Sequence, residues 1–205
     1  MSFNITAALE QAWVQYRANV WRVLPFGVLT VFPAIGFVHS IALGLFLVFL
    51  CEGWALMALT EAVRITNREE NPALTMLMLR RAWHHWKNGF VIVLFLFPLL
   101  LIGFIAFVVP SILFWSLFMF SFHHAVVRNK FAIDACMESF RSGRGNRIAL
   151  FWIAVFPYLV TMVLYIGAFV LFDGNGWVAA VPMAFFVPYY VMAIEELFEQ
   201  WETSS

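Results

Sequence analysis

Charge is what this sequence has least of. Only 12% of its 205 residues are Asp, Glu, Lys or Arg, where a soluble domain carries about 25%. Hydrophobic residues make up 63%, more than a soluble core can hide, so lipid is the expected solvent for much of the chain. Cysteine is nearly absent. Cys51 and Cys136 lie far apart with no CxxC or Cys/His spacing, which excludes a disulfide scaffold and a zinc knuckle. There is no phosphate-binding Walker loop, GxSxG elbow, dinucleotide fingerprint or pair of catalytic carboxylates. GNGW at 174–177 reads as a turn. No cofactor is therefore expected. The N-terminus, MSFNITAALEQAW, has no basic stretch followed by an apolar one, so no cleavable signal peptide is expected.

What is present is a series of apolar runs. A bilayer-spanning helix needs about 20 mostly apolar residues. Six runs qualify, in three close pairs: 20–38 with 41–63, 90–109 with 110–127, and 148–171 with 177–193. Short joints imply antiparallel hairpins. The fold class predicted is all-α, a polytopic membrane protein with six spans. All twelve Lys and Arg residues lie in or beside 1–22, 64–87 and 128–147. The positive-inside rule then puts both termini and the longer loops in the cytoplasm, and the bacterial inner membrane is the expected location.

The three pairs predict a threefold repeat over 4–63, 71–127 and 130–193, with an acidic amphipathic tail at 194–205. Each hairpin follows an amphipathic stretch ending in a small residue, an aromatic, a basic residue and Asn. The first copy is Ala12-Trp13 with Tyr16, Arg17 and Asn19. In the second, Ala82-Trp83 precedes Trp86-Lys87-Asn88, with Arg80 and Arg81 on its polar face and Asn71-Pro72 as its N-terminal signal. The third is Ser139-Phe140 with Arg144 and Asn146. Proline recurs in the following spans at Pro33, Pro98 and Pro157. Trp and Tyr favour the headgroup level, and Arg and Lys lay their stems along lipid. These residues are the predicted membrane-interface anchors, with anionic headgroups as partners. Asn is expected to end each surface helix, helped by Gly89 and Gly145.

The stretch VVRNKFAIDACMESFRSGRGNRIALFWIAVF, residues 126–156, carries a family likeness in Arg128, Ala135, Ser139, Phe140, Arg144 and Asn146. It resembles the membrane region of bacterial glycerophosphodiester phosphodiesterases and related six-helix inner-membrane proteins. The resemblance implies a membrane-embedded fold. The soluble catalytic barrel of those enzymes has no counterpart in this sequence, so phosphodiester hydrolysis is not implied.

Several polar residues compete as sites. His84-His85 sits between Trp83 and Trp86. Adjacent helical residues point about 100° apart, a poor chelating geometry, and the other two copies keep no His there. Nucleic acid is not an expected partner, because the basic patch is short and lipid competes for it. His123-His124 and Glu195-Glu196 each stand thirteen residues beyond a proline, Pro110 and Pro182. They are placed to face each other as a metal site, a proton relay or simply a wetted interface. Glu52 lies mid-way along an apolar run, where charge is costly and often functional. Beside it Gly44, Cys51, Ala55, Ala58 and Ala62 form a small-residue stripe suited to close helix packing. The acidic tail is expected to stay solvated or to dock on the basic helix around Arg80–Lys87, in this chain or in a partner or second copy. The leading functional expectation is a non-enzymatic scaffold or regulator acting on lipids or proteins through its amphipathic helices. The alternatives are a small transporter for a lipid-like or small substrate and, third, an intramembrane metalloenzyme. A polar cavity reaching Glu52 discriminates between transport and scaffolding.

Overall fold

The computed structural model describes residues 3–68, 80, 83–105, 108–171 and 177–203, and all regular structure among them is helical. α1 (Ile5–His39) is followed by α2 (Ile41–Leu47), a π-helical turn (Val48–Glu52) and α3 (Gly53–Arg68). Then come α4 (Trp86–Ile105), α5 (Val109–Phe118), α6 (Ser121–Val127), α7 (Ala132–Ser142), α8 (Arg147–Leu171) and α9 (Trp177–Glu202). Among the described residues, five helical segments are long and apolar enough to cross a membrane: Ala42–Thr66, Trp86–Gly103, Val109–Val127, Arg147–Leu164 and Ala180–Glu202. Their outer surfaces suit lipid. On α8, Ile148, Trp152, Val163 and Val170 are all exposed, a belt that water would penalise.

These five segments form a ring. α3 packs on α4, α4 on α5, α5 on α8, α8 on α9, and α9 back on α3. α1 stands outside it, laid along α9 and α3. Between helices in lipid there is little hydrophobic drive, so close packing and polar links decide association. The small-residue stripe supplies the first. Ala55, Ala58 and Ala62 are fully buried, the last two against Tyr16, Val23 and Phe26 of α1. A methyl placed on Gly27 would overlap the Ala184 carbonyl oxygen and the Pro188 ring. Gly53 and Gly89 approach each other backbone to backbone where α3 crosses α4.

The three amphipathic stretches are not alike. In the first, α1 runs unbroken from Ile5 to His39, and Asn19 does not end it. The Asn19 amide donates to the Gln15 carbonyl, one turn back, and its oxygen accepts from Arg22. No breaker stands between the stretch and the run beyond it, and Ala8, Ala12 and Tyr16 are buried against neighbouring helices rather than laid on a surface. In the second, residues 69–79, Arg81 and Ala82 lie outside the described residues. Arg80, Trp83 and His84 are helical and exposed. α4 starts at Trp86, so Asn88 and Gly89 sit within its first turns and end nothing. Gly89 is there for the close approach to Gly53. Only the third follows the expected plan: α7 ends at Ser142, and α8 begins at Arg147 after a short turn. The acidic tail is also no separate element. Residues 194–202 continue α9, with Leu197 and Phe198 buried against Phe120 and Leu150.

Candidate functional site

The ring of five helices leaves a gap along its axis. α4 shares no extensive contact with α8 or α9, and a cavity of about 800 Å³ lies between them. Along the α5–α6 wall the lining runs from Val108 to His123, roughly 20 Å at 1.5 Å per helical residue. Most of the wall is aliphatic or aromatic. Because successive helices alternate in direction, Thr60, His123 and Ile194 mark one end, and Leu100, Val108 and Met162 the other. At the latter end the wall is open to the surroundings: Met162 is 62% and Val108 37% exposed. Val108 also holds a φ of 60°, a left-handed conformation that a β-branched residue adopts only under constraint. It stands at the cavity's open end, where α4 hands over to α5.

Polar groups interrupt the apolar wall. Glu52 lines it from the end of the π-helical turn. Such turns rotate side chains out of the α-helical register and recur at functional sites. The Trp115 indole donates to the Tyr190 hydroxyl at 2.9 Å, and Ser111 and Tyr158 share a hydrogen bond of 2.8 Å. These bonds tie α5 to α9 and α8. At the inner end His123 is 2% exposed, and its Nε2 lies 3.2 Å from Glu195 Oε2. That is ion-pair distance, yet the groups are not aligned as a hydrogen bond: both His123 nitrogens and both Glu195 oxygens lack such a partner. The distance establishes the electrostatic contact, and the angles leave bonding capacity on His123 unused.

The four residues 123, 124, 195 and 196 do not form one cluster. Neighbours on a helix diverge by about 100°, and each pair splits. His124 turns away, with Nε2 3.3 Å from the Ser142 hydroxyl and its ring against Phe198 and Trp201. Glu196 faces α1, where its Oε1 accepts from the Gln15 amide at 2.7 Å. Among the described residues no group of three or more His, Cys, Asp or Glu is placed to hold a metal ion. In the acidic tail Glu202 lies 3.4 Å from Arg128, whose guanidinium covers the Trp201 ring at 4.6 Å. His84 and His85 present their rings nearly at right angles. Burial pushes the His85 imidazole below its ordinary pKa, with the Glu61 carboxylate opposing that shift.

The anchor residues are scattered around the ring. Trp13 is exposed with the Arg17 guanidinium 5.8 Å above it, while Tyr16 is buried against Tyr189. Trp83 and Trp86 stack, and Lys87 beside them is exposed. Asn88 donates to the Lys130 carbonyl, and Asn146 accepts from the backbone of Phe3. Phe140 carries both Arg144 and Arg147 over its ring, at 5.6 and 5.5 Å. On α7 the small residues Ala132, Ala135 and Ser139 face inward and Ile133 and Met137 outward.

Two functional partners escape a reading of the sequence. Gln15 looks like one more polar residue on a solvated face, and nothing local signals its bond across 181 residues to Glu196. Ser139 looks like a spacer. In fact α5 and α6 are separated by a break at Met119–Phe120, and Ser139 fills it by accepting from Phe120 N–H and donating to the Leu117 carbonyl. A freed backbone group in lipid must find such a partner. Burial also pushes the Cys136 thiol up. Comparison of the chain with protein-family models, with curated proteins and with solved structures finds no match.

Proposed function

We propose that this protein is a multi-pass inner-membrane protein that takes an amphiphilic molecule from the bilayer into the cavity, as a small transporter or carrier of lipid-like substrates. One observation carries the reading: a cavity of about 800 Å³ that reaches both Glu52 and His123; it is apolar rather than the polar cavity expected of a transport path, which suits an amphiphile better than an ion. Its open end is rimmed by exposed apolar side chains, which favours entry from lipid over entry from water. In this reading residues 20–38 of α1 form a sixth span and both termini are cytoplasmic. The chain is built as three repeats, related to the membrane region of the glycerophosphodiester phosphodiesterases through residues 126–156. The basic and aromatic anchors hold it against anionic headgroups.

The test is direct. Full-length protein purified in a neutral detergent is examined by native mass spectrometry for a retained amphiphile, beside Leu96→Trp and Val155→Trp, which fill the cavity from two walls. Loss of the retained molecule in both variants, with thermal stability kept, is the expected result. Equal retention in wild type and both variants would sink the reading.

A second reading, a scaffold that works from its surface helices, is favoured by α7. Ile133 and Met137 point outward there, and two arginines crown Phe140, the composition of an interfacial anchor. Replacing Ile133 and Met137 with Ser and Arg144 with Gln is expected to release co-purifying anionic lipid. Unchanged lipid and protein association would remove this reading.

A further inference from the structure

The lining of the cavity says what kind of head its occupant has. No Lys or Arg is among the described residues that line it. The carboxyl and imidazole groups at the cavity are Glu52 on the wall, His123 at the inner end, and Glu195 standing behind His123, and the Tyr158 and Tyr190 hydroxyls that also line it are paired with Ser111 and Trp115. Fully ionised, the two carboxylates outnumber the one imidazolium, an excess of one negative charge along the cavity. Like charges brought together in an apolar surround repel strongly, and a carboxylate in such a place needs a donor. His123 adds an independent sign. It is buried, it lines the cavity, and neither ring nitrogen has an aligned hydrogen-bond partner. A buried polar side chain in that state is costly unless something else completes it.

Resting on the cavity reading, we infer that the occupant is an amphiphile whose head donates hydrogen bonds, an alcohol or an amine, and that Glu52 on the wall or His123 at the inner end accepts from it. A carboxylate or phosphate head is rejected. Its negative charge would add to a lining that is already net negative when ionised and holds no Lys or Arg among the described residues, whereas a hydroxyl or amine brings polar hydrogens to the acceptors there. The tail lies against Val93, Leu96, Phe97 and Val155. Selectivity for the head is therefore a matter of charge at one wall, and capacity for the tail a matter of volume. The two are separable.

Three photoreactive probes with one shared tail isolate the head: hexadecylamine, hexadecanol and hexadecanoate, each carrying a diazirine on the tail. Full-length protein in neutral detergent micelles is irradiated with each, and labelled wall peptides are measured by mass spectrometry. The amine or the alcohol is expected to label the cavity walls roughly tenfold or more above the carboxylate, because like-charge juxtaposition is strongly penalised. The amine and alcohol arms tell which donor is preferred. Glu52→Gln is expected to lower the amine and raise the carboxylate. His123→Phe is expected to lower both donor probes. Equal labelling by all three probes in wild type overturns the inference without any variant. If Leu96→Trp then still abolishes that labelling, the cavity reading stands and only the head assignment falls. If Leu96→Trp leaves labelling unchanged, the cavity reading falls and this inference with it.

Discussion

Glu195 and Glu196 are neighbours on α9 and both are buried, yet they belong to different kinds of surface. Glu196 faces α1 across a closed contact. Its carboxylate takes a 2.7 Å hydrogen bond from Gln15, beside a buried cluster that includes Tyr16 and Met192. Glu195 faces α6 at the edge of the cavity, where neither it nor His123 has an aligned hydrogen bond. The Glu196 carboxylate has an aligned donor, and the His123 and Glu195 side chains have none. A polar group whose bonds are completed within the chain holds the fold together. One left incomplete beside a cavity is available to a ligand.

Substitutions on the closed side are expected to cost stability, and those on the open side to cost binding. The largest effect is expected at Gly27. Gly27→Leu forces a side chain into the Ala184 carbonyl and the Pro188 ring, at about 3 kcal/mol or more of overpacking strain. Thermal unfolding in detergent measures it, and a loss near zero would mean that α1 is not tightly seated. Next is Gln15→Leu, which strands the Glu196 carboxylate in a buried contact. Leaving such a group unpaired costs roughly 1–3 kcal/mol, and adding Glu196→Leu should recover part of it in a double-mutant cycle. Independent, additive losses would break the pairing.

Ser139→Ala sits between the two sides. It removes the hydroxyl that fills the break before α6, exposing Phe120 N–H and the Leu117 carbonyl. A loss of about 1–2 kcal/mol is expected, with weaker probe labelling because α6 carries His123. Hydrogen exchange at Phe120 reports the local effect. The smallest stability change is expected for Glu52→Gln, within about 0.5 kcal/mol, since no described side chain depends on that carboxylate for a bond. A strong destabilisation by Glu52→Gln would show that Glu52 is a structural partner and would erase the contrast.

Much of the fold was legible because lipid imposes simple rules. Runs of about 20 apolar residues must be helical, and five such helices are present. The alanine stripe in α3 was legible too, since only small side chains permit that crossing, and Ala58 and Ala62 are indeed fully buried. The anchor motifs were less informative. Trp13, Trp86 and Phe140 share a local pattern but meet three different surroundings, because the pattern encodes preference for an interface and not the contacts made there. Asn19 shows the limit most plainly. Its residue type permits a helix end, but ending α1 would have freed backbone groups that the continuous helix satisfies.

The same division runs through the candidate site. The sequence alone determined that His123-His124 and Glu195-Glu196 stand at matching positions, and that Glu52 interrupts an apolar run. Spacing along one chain is a local quantity, and helical periodicity converts it to a face. Only the tertiary structure decided that His123 meets Glu195 while His124 and Glu196 turn elsewhere, and that Glu52 opens onto a cavity. Those outcomes depend on which helices touch and where the ring leaves a gap along its axis. Both are set by packing among five segments far apart in sequence, and no local pattern carries that information.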